Sequence, residues 1–100
     1  MTARTLQLPR LVAGRDYADD LVSSMELEPD AEVLVDGSAL LSGTPSFAAE
    51  LVQQILVQGK ARSLRLVGAP GDFTGYAETA ARDLQVEDRF HATAHLSTAV

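Results

Sequence analysis

Val33-Leu34-Val35-Asp36-Gly37-Ser38, followed after a short loop by Thr44-Pro45-Ser46-Phe47-Ala48-Ala49-Glu50-Leu51, decides how this chain is read. Three consecutive branched apolar residues suit a strand that is covered on at least one face. Residues 39–44 then make a connection. Thr44 is a good N-cap, and Pro45 sits at the first helical position, where its missing N–H costs nothing. Phe47, Ala48, Leu51, Val52, Ile55 and Leu56 recur at helical spacing, while Glu50, Gln53, Gln54 and Gln58 take the other side. Gly59 is the expected residue just past the helix end. The unit places one hydroxyl, that of Ser46, in the first turn of a helix at the carboxyl end of a strand.

Working outward, Leu6 and Leu8 alternate with Gln7 in a first short strand over residues 5–8, which Pro9 ends or marks as a sheet edge. Leu11 and Val12 can extend its pairing. Asp16 is the expected cap of a helix over 17 to about 25, with Tyr17, Leu21 and Met25 on its apolar stripe, Ala18 and Val22 beside it, and Asp19 and Asp20 in its first turn. Glu28-Pro29-Asp30 is a stop. On the other side, residues 63–67 alternate as a strand, with Leu64 and Leu66 facing away from Ser63, Arg65 and Val67. Gly68-Ala69-Pro70-Gly71-Asp72 is a loop. Asp72 is the expected cap of a helix over 73 to about 85, with Phe73, Tyr76, Ala77, Ala80 and Leu84 inward and Gly75 weakening its first turn. Residues 86–89 turn into a last strand over 90–95.

Strands and helices therefore alternate, which implies mainly parallel pairing with helical crossovers. Strands covered on both faces read as unbroken apolar runs. Here Gln7, Arg65 and His91 interrupt them, and a cation such as Arg65 is costly in a closed core. The expected fold class is α/β, a four- to five-stranded mainly parallel sheet with helices packed on one face, and not a doubly covered dinucleotide-binding sandwich.

At 100 residues the expectation is one domain over 1–100, long enough to bury a core without cross-links. With no cysteine there is no thiol nucleophile or thiolate metal site, and a net charge of −6 argues against nucleic acid. No apolar run approaches a membrane span, and Met1-Thr2-Ala3-Arg4 does not open a secretory leader, so a cytoplasmic protein with no membrane partner is expected.

The run Asp36-Gly37-Ser38, the loop after it and Thr44-Pro45-Ser46-Phe47-Ala48 resemble the conserved region of anti-sigma-factor-antagonist (STAS) domains. The likeness is closer to the STAS-like branch, which carries a Ser-Phe-Ala sequence followed by an acidic residue and Leu, here Ser46-Phe47-Ala48-Ala49-Glu50-Leu51. The segment 85–90 is similar to the lead into that family's last strand. Matched by position, Ser46 falls on the family's phosphorylatable serine, Thr44 on the preceding Asp and Phe47 on the following Gly. The resemblance implies a regulatory, non-enzymatic module that switches protein partners in transcription regulation. Its partner would be a serine-kinase anti-sigma factor or a histidine-kinase-like ATPase. It would have no cofactor and would be a monomer or weak homodimer. The implied phosphoacceptor is Ser46, with Thr44 second. The expected docking residues are Asp36, Ser38, Thr44, Ser46, Phe47 and Glu50. Pro45 and Phe47 depart from the Asp and Gly that flank the acceptor in the better-known branch, and Phe47 would crowd a kinase. Without modification, Ser46 is an ordinary first-turn serine beside the Thr44 cap.

An alternative function uses the strand-end crevice near Asp36 and Gly68 to sense a small ligand or nucleotide, since ligands of open sheets favour carboxyl strand ends. Gly68, Gly71 and Gly75 flank a helix start there, but no phosphate-binding glycine motif is present, and Pro70-Gly71 reads as a turn. On a strand, His91 and His95 share a face but lie roughly 13 Å apart, too far to chelate one zinc ion. Asp36, Ser38 and a histidine do not form a hydrolase elbow. Asp19, Asp20, Glu26 and Glu28 read as a solvated acidic face.

Overall fold

In the computed structural model, which describes residues 3–93, the chain runs β1 (Ala3–Gln7), β2 (Leu11–Val12), α1 (Arg15–Ser24), β3 (Glu32–Asp36), β4 (Ser42–Gly43) and α2 (Pro45–Val52), which widens into a π turn over Gln53–Gln58. It continues as β5 (Ser63–Val67), α3 (Gly71–Asp83), a 3₁₀ turn (Glu87–Arg89) and β6 (Phe90–Thr93). The main sheet has four parallel strands in the order β1-β3-β5-β6.

That order steps one way across the sheet without reversing. Parallel crossovers are right-handed in nearly all proteins, so a chain that never reverses leaves every helix on the same face. The burial pattern agrees. Leu6, Leu8, Val33, Val35, Leu64, Leu66 and Phe90 point into the core, where they meet Phe47, Ala48, Leu51, Ile55, Phe73 and Ala77 from the helices. Across the opposite face the register aligns Thr5, Leu34, Arg65 and His91 in one row and Gln7, Asp36, Val67 and Thr93 in the next. Thr5, Gln7, Arg65, His91 and Thr93 are exposed on it. The α/β architecture with one open sheet face follows the alternation of the sequence. His95 lies outside the described residues.

α2 is the central helix of the covered face, flanked by α1 and α3. Phe47 has no accessible surface and stacks between Tyr17 of α1 and Phe73 of α3, with ring centroids 5.9 and 6.1 Å away. Full burial of such a ring stabilises by about 3 kcal/mol, with aromatic pairing adding to it.

Several local expectations are corrected. α1 starts one residue before Asp16, at a Gly14 cap whose φ of +87° only glycine adopts without strain. Ala18 and Val22 are its buried residues, Tyr17 is partly exposed, and Asp16 rather than Asp19 or Asp20 occupies the first turn. α3 likewise starts before Asp72, whose Oδ1 accepts the neighbouring Phe73 N–H at 2.9 Å. That start leaves Gly75 beyond the first turn. Gly59 does not take the left-handed C′ role; its φ is −80°, and Lys60 turns the chain with φ +54°. Glycine is needed at 59 for space, because a Cβ there would lie 2.5 Å from Leu27 Cδ2 and 2.9 Å from the Gln54 carbonyl. The π turn that precedes it is held from outside the helix. Arg89 donates to the Ala61 and Leu56 carbonyls at 2.8 and 3.0 Å.

Candidate functional site

The carboxyl ends of β1, β3 and β5 carry the residues of interest. Beyond Asp36 the β1–β3 pairing is interrupted and then resumes as the two-stranded parallel ribbon β2–β4. The register offset grows by two residues between Ala3↔Glu32 and Leu11↔Ser42, so the β3 side carries two extra residues. They are taken up in a tight turn over residues 37–40, closed by the Leu40 N–H on the Gly37 carbonyl at 3.0 Å. Buried Leu40 anchors this turn.

Asp36 and Ser38 fasten the turn at its start. Asp36 Oδ1 accepts the Ser38 backbone N–H at 2.9 Å and the Ser38 hydroxyl at 2.7 Å, an Asx turn. The backbone bond first, and the hydroxyl bond second, hold the Asp36 carboxyl below its ordinary pKa. The turn lies directly against the loop after β5. Gly37 N–H donates to the Val67 carbonyl at 2.8 Å, and a Cβ at Gly37 would come within 2.8 Å of Ala69 Cβ. A Cβ at Gly68, where φ is +73°, would come within 3.2 Å of Ser38 Cβ. Near the crevice expected at Asp36 and Gly68, the two loops touch at Gly37–Ala69 and Ser38–Gly68.

From the turn the chain passes through β4, where Gly43 lies on Phe73, and reaches the helix start. Thr44 caps α2 as expected, its Oγ1 accepting the Phe47 N–H at 3.2 Å. Ser46 is exposed, its hydroxyl 3.3 Å from Thr44 Oγ1. Pro45 has no N–H, Thr44 Oγ1 takes that of Phe47, and the Thr44 carbonyl takes that of Ala48 at 3.1 Å. Of the donors that a helix start leaves unpaired, only the Ser46 N–H remains. An anion on Ser46 would meet a favourable dipole but no cradle of amides. One turn on, half-buried Glu50 holds the Gln54 amide at 2.8 Å on the same helix face as Ser46.

Of the expected docking residues, Asp36, Ser38, Thr44, Ser46 and Glu50 retain accessible surface at or near this end of the sheet, and Phe47 does not. Its ring is the pin between three helices, so it presents nothing to a partner and does not shield the Ser46 hydroxyl from the outside. Sequence periodicity also missed a surface feature, the pair Leu11 and Leu41. Each lies beside a buried neighbour, Val12 or Leu40, and this in-out alternation within Leu11-Val12 and Leu40-Leu41 was its one signal. Comparison with models of known families, with curated proteins and with solved structures gave no match.

Proposed function

We propose that this chain is a non-enzymatic protein-docking module of the anti-sigma-factor-antagonist type, engaging its partner through the turn of residues 37–40 and the start of α2. Phosphorylation of Ser46 would release that partner. The observation that carries the reading is the exposed Ser46 hydroxyl in the first turn of α2, beside the Thr44 cap and on an outer surface. A phosphate there adds about −1.5 to −2 charge. With one free amide nearby and the Glu50 carboxylate one turn away, it would gain little locally. Its main effect would be to repel or desolvate unfavourably against a docked surface. Thr44 is the second acceptor in the same turn, but its oxygen is already committed to the cap.

The sheet order favours docking over small-ligand sensing. Open α/β sheets bind ligands where the strand order reverses, and β1-β3-β5-β6 contains no reversal. The partner class would be a serine-kinase anti-sigma factor or a histidine-kinase-like ATPase. The experiment is reconstitution with a purified kinase of that class recovered by affinity capture. Mass spectrometry should find phosphate on Ser46, and Ser46→Asp should lose the complex while Ser46→Ala keeps it. Equal capture by wild type and Ser46→Asp would refute the switch, and modification confined to Thr44 would move the acceptor.

A further inference from the structure

Leu11 and Leu41 are the two most exposed large apolar side chains among the described residues, at 67% and 64% of their full accessibility. The β2–β4 ribbon makes them neighbours. Leu11 is in register with Ser42, and the N–H groups of Leu41 and Ser42 both donate to the Arg10 carbonyl, at 2.8 and 3.2 Å. With Pro9, Arg10 and Ala39 they line an open groove of about 650 Å³. A single exposed leucine needs no explanation, whereas two adjoining ones backed by a proline and an alanine form a patch of the kind that marks an interaction site. Arg10 is the one charged residue in this lining, and its guanidinium has no ion-pair or hydrogen-bond partner among the described residues.

We propose that this groove receives one amphipathic helix of a protein partner, with apolar side chains on Leu11 and Leu41 and an Asp or Glu beside its apolar stripe paired with Arg10. The proposal rests on the docking reading above and adds the chemistry of the docked element. An apolar stripe of about one helix face suits a groove of this size. The charge selects the occupant. A chain of net charge −6 offers an unpaired cation at the groove itself, so a carboxylate is attracted there and is not met by a competing acid in the lining. A second copy fits poorly, because pairing this patch with itself would bring two unpaired cations into one small interface whose lining supplies no carboxylate. Two leucines, a proline and an alanine also fall well short of the roughly 800 Å² per partner of a stable interface. An anionic bilayer would meet a single cation in this lining, where surface binding of acidic lipid takes a basic cluster.

The test uses the full chain as bait for a displayed library of helical peptides with randomised surface positions. Enriched peptides should carry large apolar residues one turn apart on one face, with Asp or Glu flanking that stripe. Their affinity should fall about tenfold or more for Leu11→Ala/Leu41→Ala, as for loss of an interface hot spot. Selection against Arg10→Glu should instead enrich Lys or Arg at that flanking position. The three side chains are exposed, so these variants should unfold at the wild-type temperature, which a thermal melt checks. The proposal is overturned by a library that does not enrich, by peptides that bind the double variant equally, or by enrichment without an acidic preference. Leucine-dependent dimers in sedimentation, or leucine-dependent binding to phosphatidylcholine–phosphatidylserine vesicles, would overturn it as well. Ser46→Asp run in parallel against the captured kinase separates the two readings. If the groove results hold while Ser46→Asp binds the kinase normally, the switch falls and the groove stands. If Ser46→Asp loses the kinase while the leucine variants bind it as wild type, the groove falls and the switch stands.

Discussion

Replacing Gly43 with alanine should destabilise the protein by about 1–3 kcal/mol through overpacking. The new Cβ would stand 2.6 and 2.8 Å from two ring carbons of Phe73 and 2.8 Å from Val12 Cγ2. Carbon atoms rest about 3.5–4.0 Å apart, so relief requires a shift of roughly 1 Å. Neither neighbour has room to give it. Phe73 is buried against Phe47, and Val12 is buried beneath the ribbon. For a domain of this size the loss corresponds to a fall in Tm of about 5–20 °C. Phe73→Leu removes the far ring carbons and should relieve part of the clash. Urea unfolding followed by circular dichroism, on wild type, Gly43→Ala, Phe73→Leu and the double variant, gives the full cycle. The double variant should be more stable than the two single losses predict by about 1 kcal/mol. Strict additivity, or a Gly43→Ala protein within about 0.5 kcal/mol of wild type, would refute the packing of β4 on Phe73. The same result would remove the geometry that leads the chain from β4 to Thr44 and Ser46.

Three further outcomes test neighbouring parts of the structure. Thr44→Ala should cost about 1 kcal/mol in urea unfolding because the Phe47 N–H loses its cap, and Thr44→Ser should restore most of it. Arg89→Met should cost about 2–3 kcal/mol, since two carbonyls lose a charged donor, and should speed hydrogen exchange over residues 53–61. Arg89→Lys should fail to rescue, because an ammonium lacks the fork that spans both carbonyls. The Asp36 carboxyl is depressed in the folded state, so its turn contributes stability above the ordinary value of 3.8, and that contribution is lost as pH falls through the lowered folded value. An NMR titration of the Asp36 carboxyl should show the midpoint move part of the way back up toward the ordinary value in Ser38→Ala, which loses the hydroxyl bond and keeps the backbone one; an unmoved midpoint would show that the Ser38 hydroxyl does not help hold the carboxylate.

Much of the architecture was legible because it rests on local signals. Thr44-Pro45 announces a helix start by cap chemistry and a fixed φ, and the described helix begins there. Leu64-Arg65-Leu66 announces a strand with one wet face, because no closed core would take an unpaired Arg65, and Arg65 is exposed on the open side. Two of the errors share one cause, which is competition from distant parts of the chain. Gly59 looked like a left-handed cap, yet Leu27 packed beside it is what demands glycine, and the left-handed turn passes to Lys60. Phe47 was placed on the apolar stripe by its spacing and at the docking surface by the resemblance; Tyr17 and Phe73, from helices far away in sequence, close over it and leave only the first role.

By itself, then, the chain's pattern of apolar and polar residues determined the order of strands and helices, the one-sided sheet and the start of α2, because each depends on spacing within a few residues. Only the tertiary structure decided that two residues on each side resume pairing as the β2–β4 ribbon, and that Leu11 and Leu41 stand outward beside an unpaired Arg10. A strand of two residues has no periodicity to read. Whether a leucine there is core or surface depends on which side of the ribbon packs on the rest of the chain, and it is Val12 and Leu40 that join the core.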